Sequence, residues 1–196
     1  MGLFVGMGIG LFQARPPQTT RTADVSARLP DAAPTTEAPT PTPTPAPAQT
    51  VGPRRDASYV VTNGFNRLAA DVAGASPDAG TPIILFQPNA QANQQWTVRD
   101  AGSGSVFLVS VSSGKCLQMR RLSRRAGAIA VQADCSGEDA QRWQFGVNRD
   151  GWSLTSTNSG LRLDSSDDTV NGLLPVIQKR PEENARSQVW YFTPVG

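Results

Sequence analysis

Histidine is absent from this chain of 196 residues. Its absence removes the commonest general base, the usual partner of a serine or cysteine nucleophile and the most frequent metal ligand. Charged residues are also few, at 17%. The longest apolar run, residues 2–12, has 11 members, whereas crossing a bilayer takes about 20. We therefore expect no catalytic residues, no metal site and no cofactor.

Cysteine is scarce as well, because Cys116 and Cys135, 19 positions apart, are the only two. A disulfide between them would close a loop of about 20 residues and stabilise the fold by roughly 3 kcal/mol. It would also place the chain in an oxidising compartment. Two buried free thiols are the alternative, and two cysteines are too few for their number to decide. We favour the disulfide.

Proline is unevenly distributed, since the first 55 residues contain 10 of the 16 prolines and none of the tryptophans. Residues 14–55 consist largely of proline, threonine and alanine. Such a segment buries too little apolar surface to offset its ordering entropy, so we predict a disordered linker. Residues 56–196 then form one domain of ordinary size. The alternating threonines and prolines suit either an O-glycosylated stalk or an unmodified spacer.

The amino-terminal segment, residues 1–13, is short and apolar. It has two interpretations, the apolar part of a secretory signal or the end of a membrane helix that begins further upstream. No positive charge precedes it and no clean cleavage site follows it, so we favour the membrane helix. Either interpretation predicts a location outside the cell or at its surface, with membrane anchorage through this segment in the second case.

The net charge of +2 arises in the first 55 residues, and residues 56–196 contain 13 basic and 13 acidic side chains. A neutral domain is not expected to bind polyanions. Four arginines within six positions could still contact nucleic acid or an anionic polysaccharide. These are Arg120, Arg121, Arg124 and Arg125. No aromatic residue lies among them, so we favour a solvated loop and expect no nucleic-acid partner.

Three Gln-x-Trp triplets follow one another at intervals of 47 residues. Their tryptophans are Trp96, Trp143 and Trp190. A repeat of this length with one large aromatic residue per unit predicts similar units that bury the same face against each other. The units are about 56–101, 102–148 and 149–196. We expect the three tryptophans in a shared core.

Each unit has the same order of signals: an aromatic strand, a glycine turn, a short strand, a second glycine, another strand and the closing strand with its tryptophan. Four strands in each of three units make twelve, and no helical period of any length lies between them. The sequence therefore predicts an all-β fold with internal threefold pseudosymmetry.

The Gln-x-Trp triplets, together with GKCLQM at 114–119 and VQADCSG at 131–137, resemble the ricin-type β-trefoil lectins, also called carbohydrate-binding module family 13. The resemblance covers about residues 56–196. It implies a β-trefoil of three four-stranded units that binds galactose- or xylose-type sugars of glycans or polysaccharides without catalysis. In that family a competent unit supplies an Asp, an aromatic residue and an Asn just before the Gln of the triplet.

By this resemblance the first unit has the complete set. Asp71 would accept hydrogen bonds from two hydroxyls, and Phe86 would stack on the sugar ring. Asn93 and Gln94 would bond the same hydroxyls and orient Asp71. One departure is Ile84, where many family members have a polar glutamine.

The other two units depart further from the family pattern. The second has Gln118, Ala133 and Ala140 at the three positions, so it should bind no sugar. The third keeps Asp164 and Gln188 but has Lys179 and Ser187 in place of the aromatic residue and the Asn. We expect at most a weaker site there.

Two other classes of function compete with a lectin. A trefoil whose sugar sites have decayed could serve as a protein-interaction or structural module. A glycosidase would need two carboxylates at a defined separation in a cleft, whereas the acidic pairs Asp167-Asp168 and Glu182-Glu183 are adjacent in polar loops. We expect a non-catalytic, monomeric module whose partners are glycans.

Overall fold

The computed structural model describes residues 52–196. The predicted apolar segment 1–13 and residues 14–51 of the predicted linker lie outside this range. Within it the chain forms twelve strands and five short 3-10 turns. The strands are β1 (Ala57–Asn63), β2 (Ala69–Val72), β3 (Ile83–Phe86), β4 (Gln95–Gly102), β5 (Ser105–Ser110), β6 (Cys116–Met119), β7 (Ala130–Ala133), β8 (Trp143–Asn148), β9 (Gly151–Ser156), β10 (Arg162–Ser165), β11 (Val176–Lys179) and β12 (Trp190–Pro194). The turns are Ala73–Ala75, Ala92–Gln94, Arg120–Leu122, Asp139–Gln141 and Arg186–Gln188.

Six of these strands close into a barrel. The antiparallel pairs run from β1 to β4, β5, β8, β9 and β12, and β12 pairs again with β1. The last pair has Tyr59 opposite Pro194 and Asn63 opposite Trp190. Closure gives every barrel strand two neighbours, so no barrel edge is left unpaired.

The other six strands form three hairpins, β2–β3, β6–β7 and β10–β11, one in each unit. Single β-bridges join the hairpins to one another, between Pro82 and Val131, Ile129 and Ile177, and Ile84 and Pro175. A closed six-stranded barrel with three mutually bridged hairpins is a β-trefoil. The prediction of an all-β trefoil of three four-stranded units is confirmed.

The tryptophans of the three triplets lie in the core, each at most 1% exposed. Each indole Nε1 donates a hydrogen bond to a backbone carbonyl of the short strand in its own unit. The acceptors for Trp96, Trp143 and Trp190 are Ala70 at 2.9 Å, Leu117 at 3.2 Å and Leu163 at 3.0 Å. Each tryptophan thus packs in the shared apolar cluster and also joins a barrel strand to its hairpin.

Cys116 and Cys135 form a disulfide, with their Cα atoms 5.1 Å apart. The bond links the first residue of β6 to the segment after β7. Of the two interpretations left open by the sequence, the disulfide is confirmed.

Two buried glutamines, which the sequence analysis did not single out, connect neighbouring units. The Gln132 amide donates to two backbone carbonyls of the loop at 73–80 in the first unit. Gln178 does the same for the loop at 120–127 in the second unit. Leu85 occupies the equivalent strand position in the first unit, so the contact between the third and first units has no such side-chain bond.

Residues 52–55, which composition assigned to the linker, contact the barrel. The guanidinium carbon of Arg55 lies 5.7 Å from the centroid of the Phe145 ring. This cation–π contact fixes the side chain against the barrel, although Gly52 and Pro53 just before it are typical of a linker. No helix in residues 52–196 has the length and apolar character needed to cross a bilayer.

Candidate functional site

The predicted Asp71 lies in β2 and faces away from the apolar core. Its neighbours Ala70 and Val72 belong to the core cluster, so strand alternation directs Asp71 to the opposite face. In the β2–β3 pairing Asp71 is opposite Ile84, and Phe86 is opposite Ala69. Phe86 therefore shares the face of Asp71, two positions along the hairpin, and its side chain is 52% exposed.

The 3-10 turn Ala92–Gln94 brings two amides onto the Asp71 carboxylate. Asn93 Nδ2 donates to Oδ1 at 2.9 Å and Gln94 Nε2 donates to Oδ2 at 2.8 Å. These two bonds orient the carboxylate, and Asp71 as a whole is 4% exposed. A carboxylate has about four lone-pair sites, and these two bonds use two of them. The structure brings all four predicted residues of the first unit together.

Gln94 differs from Asn93 in what it can still offer. Its Nε2 also donates to the carbonyl of Gln87 at 2.9 Å, and its Oε1 accepts from the amide of Asn89 at 2.8 Å. Because Gln94 is 0% exposed, it orients Asp71 and holds the loop, and has no polar atom at the surface. The direct ligand contact predicted for Gln94 therefore does not fit the geometry, while Asn93 is half-buried and can reach a ligand.

Burial raises the pKa of Asp71, and the hydrogen bonds from Gln94 and Asn93 partly oppose this effect by stabilising the charged form. The site thus holds a carboxylate that is poorly hydrated and already oriented. Such a group gains more from a hydroxyl donor than a solvated carboxylate does, because less water has to be displaced.

The second unit keeps the scaffold without the carboxylate. Gln141 Nε2 donates to Gln118 Oε1 at 2.9 Å, in the place of the bond between Gln94 and Asp71. Ala133 is opposite Cys116, which is the register position that Phe86 occupies in the first unit. With Ala140 buried in place of Asn93, this unit presents neither an anion nor a ring.

The third unit keeps the carboxylate without the ring. Asp164 is 1% exposed, and Gln188 Nε2 donates to its Oδ2 at 2.9 Å. Its Oδ1 is buried and accepts no hydrogen bond of standard geometry from residues 52–196, although the Ser187 side chain and the Ser165 backbone lie near enough to lower the pKa of this carboxyl. Burial raises the pKa of Asp164, partly opposed by the bond from Gln188. Lys179 is opposite Arg162, in the place of Phe86, and its Nζ pairs with Asp167 Oδ2 at 2.6 Å.

The acidic pairs and the arginine cluster, which the sequence made candidates for other functions, lie at the surface. The acidic pairs Asp167-Asp168 and Glu182-Glu183 are exposed, as are the four arginines of the loop at 120–125. In the part of the chain that the structure describes, no three cysteine or acidic side chains are arranged to hold a metal ion.

Known proteins share this architecture and its sequence pattern. The sequence model of the ricin-type beta-trefoil lectin domain-like family matches residues 48–133, 92–179 and 139–196. The chain belongs to this family. A curated relative, the seed lectin of Trichosanthes anguina, is 31% identical over 104 residues, which are 53% of this chain and 18% of the lectin. The matched part of this chain thus spans less than a fifth of that relative.

Two solved structures extend the likeness. The designed threefold-symmetric protein ThreeFoil superposes with a TM-score of 0.66 and 30% identity, over 70% of this chain and 99% of ThreeFoil. The exo-β-1,3-galactanase 1,3Gal43A of Clostridium thermocellum superposes with a TM-score of 0.65 and 27% identity, over 71% of this chain and 30% of the galactanase. The ricin-type fold of this chain therefore occurs both alone and as a part of longer proteins.

Proposed function

We propose that this chain is a non-catalytic carbohydrate-binding module with one competent sugar site, in its first unit. One observation carries the proposal: the Asp71 carboxylate is held by Asn93 and Gln94 on the face that also presents the exposed Phe86 ring. Membership in a lectin-domain family and a relative that is a seed lectin support it.

The chemistry of the site matches that of a pyranose. Two neighbouring hydroxyls of the sugar donate to the free lone pairs of Asp71, and the Asn93 side chain bonds one of the same hydroxyls. The apolar C–H face of the ring packs on Phe86, whose exposed area is otherwise unfavourable in water. A single surface site of this kind has a dissociation constant of about 1 mM, equivalent to about −4 kcal/mol.

Galactose-type sugars are the first ligands to test and xylose-type sugars the second. The Clostridium thermocellum relative is a β-1,3-galactanase, and its likeness to this chain favours the first class. Several copies facing a polymeric glycan would raise the overall affinity through effective concentration, without any new contact.

The third unit is a weaker second site in this proposal. The specific observation is the Asp164 carboxylate, which Gln188 holds as Gln94 holds Asp71, although its Oδ1 is buried. Lys179 and its partner Asp167 occupy the place of the stacking ring, so only the polar half of the interaction is retained.

The module is displayed outside the cell in this proposal, because a disulfide such as Cys116–Cys135 persists in oxidising compartments. In this proposal residues 1–13 anchor the chain to a membrane, and the linker 14–55 separates the module from that membrane. The module is a monomer. No nucleic-acid partner is proposed, since residues 56–196 carry no net charge.

The test is calorimetric titration of the full chain with galactose, lactose and xylose at concentrations up to tens of millimolar. We expect millimolar binding of at least one sugar, and a loss of at least about tenfold in Asp71→Asn, which removes a charge-assisted bond. Phe86→Ala, at an exposed position that folding does not need, should weaken binding in the same assay.

Asp168→Asn is the matched control, because it removes an exposed carboxylate of the third unit, and it should bind like the wild type. Absence of binding to every sugar, or equal affinities in the wild type and the Asp71 and Phe86 variants, would reject the sugar site. The protein-interaction module would then be the better interpretation.

A further inference from the structure

A cavity of about 280 Å³ lies between the first and third units, and it shares no residue with the proposed sugar site. We call it the arginine pocket and define it by Arg67, Arg149, Asp150, Arg186 and Tyr191. Its three arginines come from the β1–β2 turn, the β8–β9 turn and the 3-10 turn before β12. Arg67 is more than 80 residues from the other two arginines in sequence, yet all three line one cavity.

The pocket has an excess of positive charge. Its one carboxylate, on Asp150, accepts a hydrogen bond of 2.7 Å from the Tyr191 hydroxyl. That bond lowers the pKa of Asp150, and the charges of Arg67 and Arg186 lower it further. Arg67 also stacks its guanidinium 4.5 Å from the centroid of the Tyr191 ring. Among residues 52–196, no acidic side chain lies within ion-pair distance of any of the three arginines.

Arg67 stands at a backbone position that normally suits glycine. Its φ is +63°, and its amide donates to the carbonyl of Asn63 to close the turn. The matching donor and acceptor pairs in the other units are Gly114 with Ser110 and Gly160 with Ser156. Both glycines have similar φ values, +70° and +71°. A side chain in this left-handed conformation is strained where glycine is not, so the first unit keeps its arginine at a cost in stability.

The equivalent cavity between the second and third units shows that the charge is not a property of the fold. It has a volume of about 190 Å³. Asp139 and Gln144 stand there in place of Arg186 and Tyr191, and Asp139 lies 3.7 Å from Arg142 in an ion pair. The smaller cavity is therefore neutralised from within, whereas the arginine pocket is not.

We propose that the arginine pocket binds the sulfate or carboxylate group of an acidic saccharide. Guanidinium groups present paired N–H donors whose geometry matches such oxyanions. The arginines converge on one cavity and do not form a track along the surface, which favours a single oxyanion over a nucleic-acid backbone.

The saccharide part of this inference rests on the proposed function, whereas the oxyanion part does not. Arg186 and Gln188 belong to the same 3-10 turn, and Gln188 holds Asp164 of the weaker sugar site. The arginine pocket and the proposed sugar site of the third unit are therefore connected through one 3-10 turn.

The test is titration of the full chain, at constant ionic strength, with inorganic sulfate, a sulfated disaccharide, a uronic-acid disaccharide and a neutral disaccharide. We expect at least one acidic disaccharide to bind more tightly than both inorganic sulfate and the neutral sugar. Arg67→Gly, which copies Gly114 and Gly160, should weaken that binding about tenfold, as for one lost charge-assisted bond. Arg186→Asp copies Asp139 of the second unit and should weaken it further, because it also adds a carboxylate to the pocket.

The matched control removes a charge outside the arginine clusters, in Arg99→Ser at an exposed position of β4, and should leave the affinity unchanged. Preference for the sulfated or for the uronic-acid disaccharide identifies the source of the oxyanion. Equal weakening in the control, equal affinity for inorganic sulfate and the acidic sugars, or no binding of any anion would each overturn the inference. Binding of neutral sugar that depends on Asp71 can persist in all three cases, so the proposed function stands or fails separately.

Discussion

The first and third units hold their carboxylates in the same way and differ in what surrounds them. Gln94 fixes Asp71 and Gln188 fixes Asp164, each through a bond of about the same length. The first unit adds an exposed ring, whereas the third has Lys179 in its place. The buried amide is thus a property of the fold, whereas the residues around the carboxylate differ between the units, Phe86 and Asn93 in the first and Lys179 and Ser187 in the third.

The second unit extends the comparison. Gln141 makes the same loop contacts as its counterparts although its partner is Gln118 and no carboxylate is present. The glutamine of the triplet is therefore needed for the backbone of every unit. A Gln-x-Trp triplet identifies the fold, and it does not show whether a unit binds.

The largest expected effect comes from removing what all three units share. Trp143→Ala should lower the free energy of unfolding by about 3–5 kcal/mol, because it empties a fully buried indole site and frees the Leu117 carbonyl. Chemical denaturation measures the loss. Trp152→Ala is the control, since Trp152 is only half-buried, and an equal loss in the control would contradict the role of Trp143 as a shared core residue.

Acidification should separate the charged part of the first site from the rest of the fold. Because the pKa of Asp71 is raised above its ordinary value of 3.8, protonation begins at a higher pH than for a solvated Asp, and sugar affinity should fall about tenfold or more with it. Calorimetric titration with the same sugar at a series of pH values, from neutral pH down to pH 3.8, measures the pH at which half of the affinity is lost.

The raised pKa values of Asp71 and Asp164 should increase the free energy of unfolding at low pH, whereas protonation of Asp71 weakens sugar binding. A carboxyl whose pKa rises on folding binds its proton more tightly in the folded state, so protonation of Asp71 and Asp164 favours folding. Affinity should therefore fall before the protein unfolds. Simultaneous loss of circular dichroism and of binding, or a midpoint at or below pH 3.8, would contradict this assignment.

An exchange of single residues tests the difference between the first and third units directly. Phe86→Lys should reduce the affinity of the first site by about 1 kcal/mol, the contribution of one aromatic contact. Lys179→Phe gives the third unit the ring it lacks, and should raise the number of sugars bound from one towards two. Calorimetric stoichiometry measures both. An unchanged stoichiometry with a folded variant would show that Ser187, in place of Asn93, also limits the third unit.

The smallest expected effect concerns the strained turn of the first unit. Arg67→Gly should raise the free energy of unfolding by up to about 1 kcal/mol, since the left-handed backbone no longer carries a side chain. Arg67→Ala is the control, because it removes the charge and retains the strain. Equal stabilisation by both variants would mean that charge repulsion in the arginine pocket, and not the backbone, is the cause.

Much of the fold could be predicted from the sequence because its information is periodic. The interval between Trp96 and Trp143 defines the repeat, and the family resemblance identifies Asp71 and Phe86, which the strand register places on one face. The position of Lys179 in the third unit also agrees with the register. These features depend on residues that are close in sequence, so the spacing of motifs and the alternation along strands can predict them.

Other features depend on barrel closure and have no local signal. Arg67 and Arg186 become neighbours only when the first and third units meet, and the contacts of Gln132 cross from one unit to another. The burial of Gln94 depends on the loop that it holds. The amino-terminal segment and the linker stay predictions.

Leu85 has a consequence for the order in which the trefoil comes apart. A buried glutamine joins the second unit to the first at the hairpins, and another joins the third unit to the second. The first unit has Leu85 at this position and meets the hairpin of the third unit through the backbone bond from the Leu85 amide to the Leu174 carbonyl, 2.7 Å long. Elsewhere the same boundary is held by the β1–β12 pairing and by the bond from Asn63 Nδ2 to the Ser187 carbonyl. Partial opening should therefore start at the hairpin contact and release the end of the β10–β11 hairpin, while the barrel and the disulfide-linked second unit stay intact.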